Sequence, residues 1–171
     1  MNADAGPGRP RTNLWGKIRR TGRVAEPPPA VTRTPRPAAA ETLSGSVQFR
    51  HVDAGSCNGC EVEIGSAFGP VYDAERYGAR LVASPRHADA LLVTGVVTRN
   101  MAGPLQRTLE AVPEPKLVVA VGDCACSGGV FAGAYGVVGA VDDIVPVDLA
   151  VPGCPPRPEA IVVALRTLTG R

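Results

Sequence analysis

Residues 47–60 read VQFRHVDAGSCNGC, and residues 116–124 read KLVVAVGDC. In the first, residues 47–52 alternate as a strand with one buried face does, and the Gly-rich turn Gly55-Ser56-Cys57-Asn58-Gly59 leads into a helix expected over 60–68. The second is apolar from Leu117 to Val121, as a strand buried on both faces requires. Working outward, 80–83 and 90–94 (ALLVT) read as further strands, and 102–111 reads as a helix stopped by Pro113 and Pro115. Residues 145–149 form a short edge segment, and 158–168 a C-terminal helix that opens on Pro158. Strand and helix in alternation predict a doubly wound, mainly parallel α/β sheet of flavodoxin-like kind, with helices on both faces. In such sheets ligands sit outside the carboxyl ends of the strands.

The chain has 171 residues, enough for one core of ordinary size plus a tail. Apolar residues at 44 % and charged residues at 20 % place it in the globular class, while Gly 20 and Pro 17 assign much of it to turn or tail. The formal charge of +2 is divided: eight Lys/Arg against Asp4 and Glu26 give residues 1–40 a charge of +6, leaving −4 for the remainder. Residues 1–42 carry Pro7, Pro10, Pro27, Pro28, Pro29, Pro35 and Pro37 and few large apolar groups, so they read as a basic, largely disordered arm. Within it Leu14, Trp15 and Ile18 stand at helical spacing beside Lys17, Arg19, Arg20 and Arg23. Either a short basic amphipathic helix for an anionic surface or partner, or a solvated tail, fits that pattern. The domain proper is 43–171. Its acidic balance excludes nucleic-acid binding, which needs a basic face. No apolar run reaches the roughly 20 residues of a membrane helix, and no apolar block follows Arg19-Arg20, so a cytoplasmic location is expected.

Five cysteines are an odd number for a disulfide framework, and clustered thiols in a reducing compartment point to metal or redox chemistry. Cys57 and Cys60 follow the first strand, Cys124 follows KLVVAV, and Cys154 lies in the loop before the last helix. The expected topology therefore gathers four thiols at one sheet edge. Structural zinc and a [4Fe-4S] cluster both take four cysteines. One C-x2-C pair with two distant singles, on a sheet that has its own core, favours the cluster, as does the Cys154-Pro155 step. Cys126 is either an alternative ligand or a small buried hydrophobe, and the second is preferred. An FMN-binding protein of the same fold fits less well, because cysteines occupy the place of a Ser/Thr-rich phosphate loop.

The segments VDAGSCNGCEVEI, YDAERYGARLVASPRHADALLVTGVVTRNM, PEPKLVVAVGDCACSGG and IVPVDLAVPGCPPRPEA, in that order, resemble the small iron-sulfur subunit shared by respiratory complex I (its 20-kDa, or B, subunit) and membrane-bound group 4 [NiFe] hydrogenases. The resemblance implies one [4Fe-4S] cluster on Cys57, Cys60, Cys124 and Cys154, with Cys126 outside the set. Cys57-Asn58-Gly59-Cys60 in place of two adjacent cysteines is similar to the formate hydrogenlyase type rather than to the complex I subunit that serves quinone reduction. It further implies an electron-transfer subunit with no bond chemistry of its own, peripheral on the inner face of the membrane. Its partners would be a large hydrogenase or 49-kDa-like subunit, a ferredoxin-like iron-sulfur subunit and membrane subunits that move ions.

Around the cysteines, Glu61 and Glu63 open a helix whose dipole favours carboxylates. By resemblance Glu63 is a candidate for the large-subunit interface or a proton path. Arg86 and His87, expected in a loop at the cysteine edge, are candidates to tune the cluster; an ion pair of Arg86 with Asp89 and an exposed loop histidine are the plainer readings. Arg99 and Met101 are weaker interface candidates, and Asp142, Asp143 and Asp148 read as solvated surface charge.

Overall fold

In the computed structural model the described residues are 36–43 and 45–171, together with Trp15, Gly16 and Arg19. The chain divides into two compact units, 1–32 and 33–171, and every element below belongs to the second. The disorder expected of the arm and the amphipathic helix near Trp15 lie, for nearly all their residues, outside the described set. The second unit begins before residue 43. A short helix α1 (Ala38–Glu41) buries Ala40 completely. Arg36 donates from Nε and Nη2 to the Leu168 carbonyl at 2.9 and 2.6 Å, where the end of the last helix favours a cation. A partner 132 residues away leaves no local signal in a Pro-rich stretch.

Five strands form one parallel sheet: β1 (Val47–Asp53), β2 (Ala79–Leu81), β3 (Ala90–Thr94), β5 (Leu117–Val121) and β7 (Leu149–Val151), in the order β2-β1-β3-β5-β7. Every residue of β3 and β5 is buried, which is why both read as unbroken apolar runs. Alternation then sorts the side chains. Val47, Phe49, Ala90, Leu92, Leu117 and Val119 pack under α2 (Gly59–Ala67) and α5 (Pro158–Thr169) through Ile64, Ile161, Leu165 and Leu168. Val52, Leu91, Val93, Val118 and Ala120 pack on α3 (Arg99–Glu110) through Leu105 and Leu109. The sheet is thus covered on both faces.

Two boundaries differ from expectation. The edge strand lies at Leu149–Val151 rather than 145–149, because Asp148 fixes the register first. Its Oδ2 accepts from Val118 N–H at 2.8 Å and its own N–H donates to Val118 O at 2.9 Å. Asp148 is exposed, as expected of surface charge, yet also holds the backbone, and exposed Asp143 likewise accepts from Ala140 N–H at 2.8 Å. Helix α3 starts at Arg99, with Pro104 inside it. The strand β4 (Val97–Thr98) pairs antiparallel with β6 (Val137–Gly139), and Arg99 N–H donates to Gly136 O, so pairing outside the main sheet launches the helix.

What places the site is the register. Asp53, Thr94, Val121 and Val151 stand side by side at the carboxyl ends of four strands. Three of those ends run into the cysteine loops.

Candidate metal centre

Each cysteine loop is shaped by its own backbone bonds. Asp53 Oδ1 accepts from Gly55 N–H at 2.8 Å and Ser56 N–H at 2.7 Å, turning the chain over the end of β1. Ser56 Oγ accepts from Asn58 N–H at 2.9 Å, so Cys57 stands exposed and Cys60 is buried in the first turn of α2. After β5 the chain turns at Gly122 into a short helix, α4 (Asp123–Ser127), which carries Cys124. The loop of exposed Cys154 is clasped to it: Asp123 Oδ1 accepts from Gly153 N–H at 2.7 Å and Asp123 N–H donates to Gly153 O at 2.8 Å.

Asp123→Ala breaks half of that clasp and strands the Gly153 N–H, at a cost of about 1.5–3 kcal/mol for a bond to a charged group. We expect the protein to retain less than about half of the iron held by the wild type after gel filtration, because the two loops must stay in register to share one group. Asp123→Asn keeps the Oδ1 acceptor and should retain most of it; equal retention by both variants would show that the clasp does not matter.

The thiols sense one another. Burial pushes the Cys60 thiol up to about 12, with Glu61, Cys124, Cys57 and Cys154 adding to the rise. Burial also raises Cys124, followed by Cys154, Cys57 and Asp123. Cys57, Cys60, Cys124 and Cys154 are therefore within electrostatic reach as one set. Cys126 is raised by burial, with Asp123 and Asp142 as its acidic neighbours and no cysteine among them. Its thiol donates to Ala120 O at 3.6 Å and packs toward the α3 side of the core. Among the described residues no three His, Cys, Asp or Glu are gathered closely enough to hold a single metal ion. Backbone alone approaches two of the sulfurs: a Cβ on Gly122 would stand 2.5 Å from Cys60 Sγ, and one on Gly129 3.1 Å from Cys124 Sγ.

Because the thiolate is the nucleophile, the metal-free chain should be alkylated by iodoacetamide at Cys57 and Cys154 first and at Cys60 last; mass mapping that found Cys60 among the first would contradict the burial. A thiol raised in the folded state withholds its proton from solution after the unfolded chain has released its own. Metal-free stability should therefore be full below pH 9.0 and fall as pH rises from there toward about 12, read by thermal melts.

Other candidates are placed as follows. Glu63 is partly buried on α2 beside Tyr72, whose hydroxyl donates to Glu159 Oε1 at 2.9 Å. Arg86 and His87 are not at the cysteine edge. They lie in a short turn (Pro85–His87) that leads into the amino end of β3, because β2 pairs only with residues 47–49 of β1 and leaves the chain near the opposite edge. Asp89 does not pair with Arg86; its Oδ2 accepts from Gln48 N–H at 2.7 Å. Arg99 lies over the Tyr135 ring at 4.7 Å. Beyond Cys124 an apolar stretch stands open, with Val130, Phe131, Tyr135 and Val138 exposed. Sequence reasoning gave Glu61 only a helix-dipole role. Both its oxygens are in fact hydrogen-bonded, to Ser56 and to the buried Thr94, with His51 alongside.

Residues 57–168 match the family model described as NADH ubiquinone oxidoreductase, 20 Kd subunit. The chain is 50 % identical over 128 residues to formate hydrogenlyase subunit 7 of Escherichia coli, covering 75 % of this chain and half the length of that relative. It is 54 % identical over 112 residues to the probable membrane-bound hydrogenase subunit mbhJ of Pyrococcus furiosus, covering 66 % of this chain and 67 % of the other. Its fold superposes on a chain of the membrane-bound sulfane sulfur reductase, an archaeal respiratory membrane complex, with a TM-score of 0.66 and 33 % identity over 77 % of this chain and 72 % of that one.

Proposed function

Because the chain belongs to the NADH ubiquinone oxidoreductase 20-kDa subunit family, we propose that it is the electron-transfer small subunit of a group 4, formate hydrogenlyase-like hydrogenase complex. It holds one [4Fe-4S] cluster on Cys57, Cys60, Cys124 and Cys154. It passes electrons between a large subunit with a nickel-iron centre and the clusters of a ferredoxin-like subunit, beside ion-translocating subunits on the inner face of the membrane. Among the described residues no helix is long and apolar enough to cross a membrane.

The observation that supports this reading is the delivery of Cys57, Cys60, Cys124 and Cys154 to one sheet edge by the three loops that follow β1, β5 and β7. A bound [4Fe-4S] group supplies one-electron storage. The chain supplies the thiolates, keeps Cys60 out of water, and lets Gly122 and Gly129 backbone close on the sulfurs. The exposed Val130, Phe131, Tyr135 and Val138 next to Cys124 offer an apolar face suited to the large subunit. The Cys57-Asn58-Gly59-Cys60 spacing and the 50 % and 54 % identities favour the hydrogenase branch over quinone reduction.

Anaerobic incubation of the full chain with ferrous iron and sulfide tests it. About four iron and four sulfide per chain are expected, with broad visible absorption that dithionite bleaches and an EPR signal in the reduced state. One zinc per chain and a colourless protein would sink the reading.

A further inference from the structure

At the end of the sheet opposite the cysteines, arginines gather around one tyrosine. A short turn (Ala74–Tyr77) leads into β2, and the last turn of α5 packs on it. Arg76 and Arg166 both lay their guanidinium groups over the Tyr77 ring, at 4.7 and 4.5 Å from its centre. Arg76 Nη2 also donates to the Tyr77 hydroxyl at 2.7 Å, and Arg166 Nε donates to Arg171 O at 2.9 Å, which leaves both Arg166 Nη groups uncommitted. Arg171 completes the set. Its side chain lies against Gly45, where an added Cβ would stand 3.2 Å from Nε, and Gly45 O in turn abuts Gly78, the residue after Tyr77. Arg76 and Arg171 are exposed and Arg166 is half-buried.

Internal roles do not use up these charges. Arg36 lies nearby but is spent on the carbonyls of Leu168 and Leu43, so it holds the fold and is not counted. The carboxyl end of α5 favours a cation, which accounts for Arg166 but not for Arg76 on another element. Asp73 and Glu75 beside the turn and Glu41 on α1 are exposed, yet among the described residues no Asp or Glu side chain pairs with Arg76, Arg166 or Arg171. Like charges gathered without a carboxylate repel one another, and here a ring holds two of them in place with most of their donors open. A planar guanidinium fork matches a carboxylate in two parallel bonds. An anionic lipid surface takes lysine and arginine alike as point charges. The charge here is all arginine and its forks are set in advance, which favours carboxylates on a protein.

We propose that Arg76, Arg166 and Arg171, ordered around Tyr77, form a docking surface for an acidic segment of a protein partner, bound through its Asp or Glu carboxylates. Tyr77 adds a donor, because its oxygen accepts from Arg76 and its own proton stays free. β1 has seven residues and sets this surface about 20 Å from the cysteine loops. Both ends of the sheet can therefore be occupied together, and this one works whatever the cysteines hold.

The probe is an octaglutamate peptide with a fluorophore and a photoreactive benzophenone, titrated into the full chain by anisotropy at low salt. Affinity should fall at least about tenfold in the double variant Arg76→Gln, Arg166→Gln, which removes charge-assisted bonds. Arg76→Lys with Arg166→Lys keeps the charge but loses the fork, and should lose most of the same affinity. Crosslinks on the wild type should map beside Tyr77 and Arg166. Equal affinity in the wild type and the glutamine variant, a lysine variant that binds like the wild type, or crosslinks confined to the basic residues before Arg36 each overturns the proposal. So does a glutamine variant weakened only toward vesicles containing phosphatidylglycerol, which would make this a lipid-facing patch. Should the double variants fail to fold, Arg171→Gln decides: it should weaken the peptide about threefold or more, and an unchanged affinity overturns the proposal.

Discussion

Cys57→Ala, Cys60→Ala, Cys124→Ala and Cys154→Ala should each abolish the reduced-state EPR signal, while Cys126→Ala keeps it. Groups that merely orient metal ligands typically contribute 10–100-fold in affinity, so removing a ligand should cost more than about 100-fold. Cys60→Ala is the most informative of the four. Its thiol is the buried one, and the other three all act on it. Cys126→Ala loses a weak S–H bond to Ala120 O and little packing, an effect within about 1 kcal/mol on stability. The outcome that would sink the ligand set is a signal retained in Cys124→Ala and lost in Cys126→Ala, since these two lie on one turn and differ in which way that turn aims them.

Gly122→Ala should be nearly as damaging without touching a ligand. Gly122 sits at φ +94, where an L side chain costs about 1–3 kcal/mol. The added Cβ would also stand 2.5 Å from Cys60 Sγ, so the thiol must move. We expect the metal-free protein to melt roughly 5–10 °C lower and to hold little iron. Gly133→Ala separates the two causes. It has a comparable φ of +76 but nothing within 4 Å of its Cβ, so it should lose some stability and keep its iron. Equal iron loss in both variants would mean that strain alone, and not the approach to Cys60, explains the result.

The cysteine edge was legible in advance because two independent periodicities agree. ALLVT and KLVVAV are short, apolar and rich in β-branched residues, as strands buried on both faces are, and glycine-rich turns carrying cysteines follow residues 47–52 and KLVVAV. Where expectation failed, a distant partner had intervened. Arg36 belongs to the body through Leu168, the edge strand is set by the bonds of Asp148 to Val118, and Arg86 and His87 fall at the other edge because β2 is only three residues long.

Glu61 shows the limit most clearly. Its place after Cys60 predicts a carboxylate in a helix first turn and nothing more. That it meets Thr94 and His51 depends on β1 and β3 pairing in the register that sets Asp53 beside Thr94, which turns His51 and Thr94 to the face that α2 covers. Sequence by itself determined the strands, the order of the cysteine loops and the family motifs, since these rest on local periodicity and short spacing. Only the tertiary structure decided which thiol is buried, which cysteine turns away and which polar groups are linked, because burial and hydrogen bonding are set by neighbours tens of residues distant along the chain.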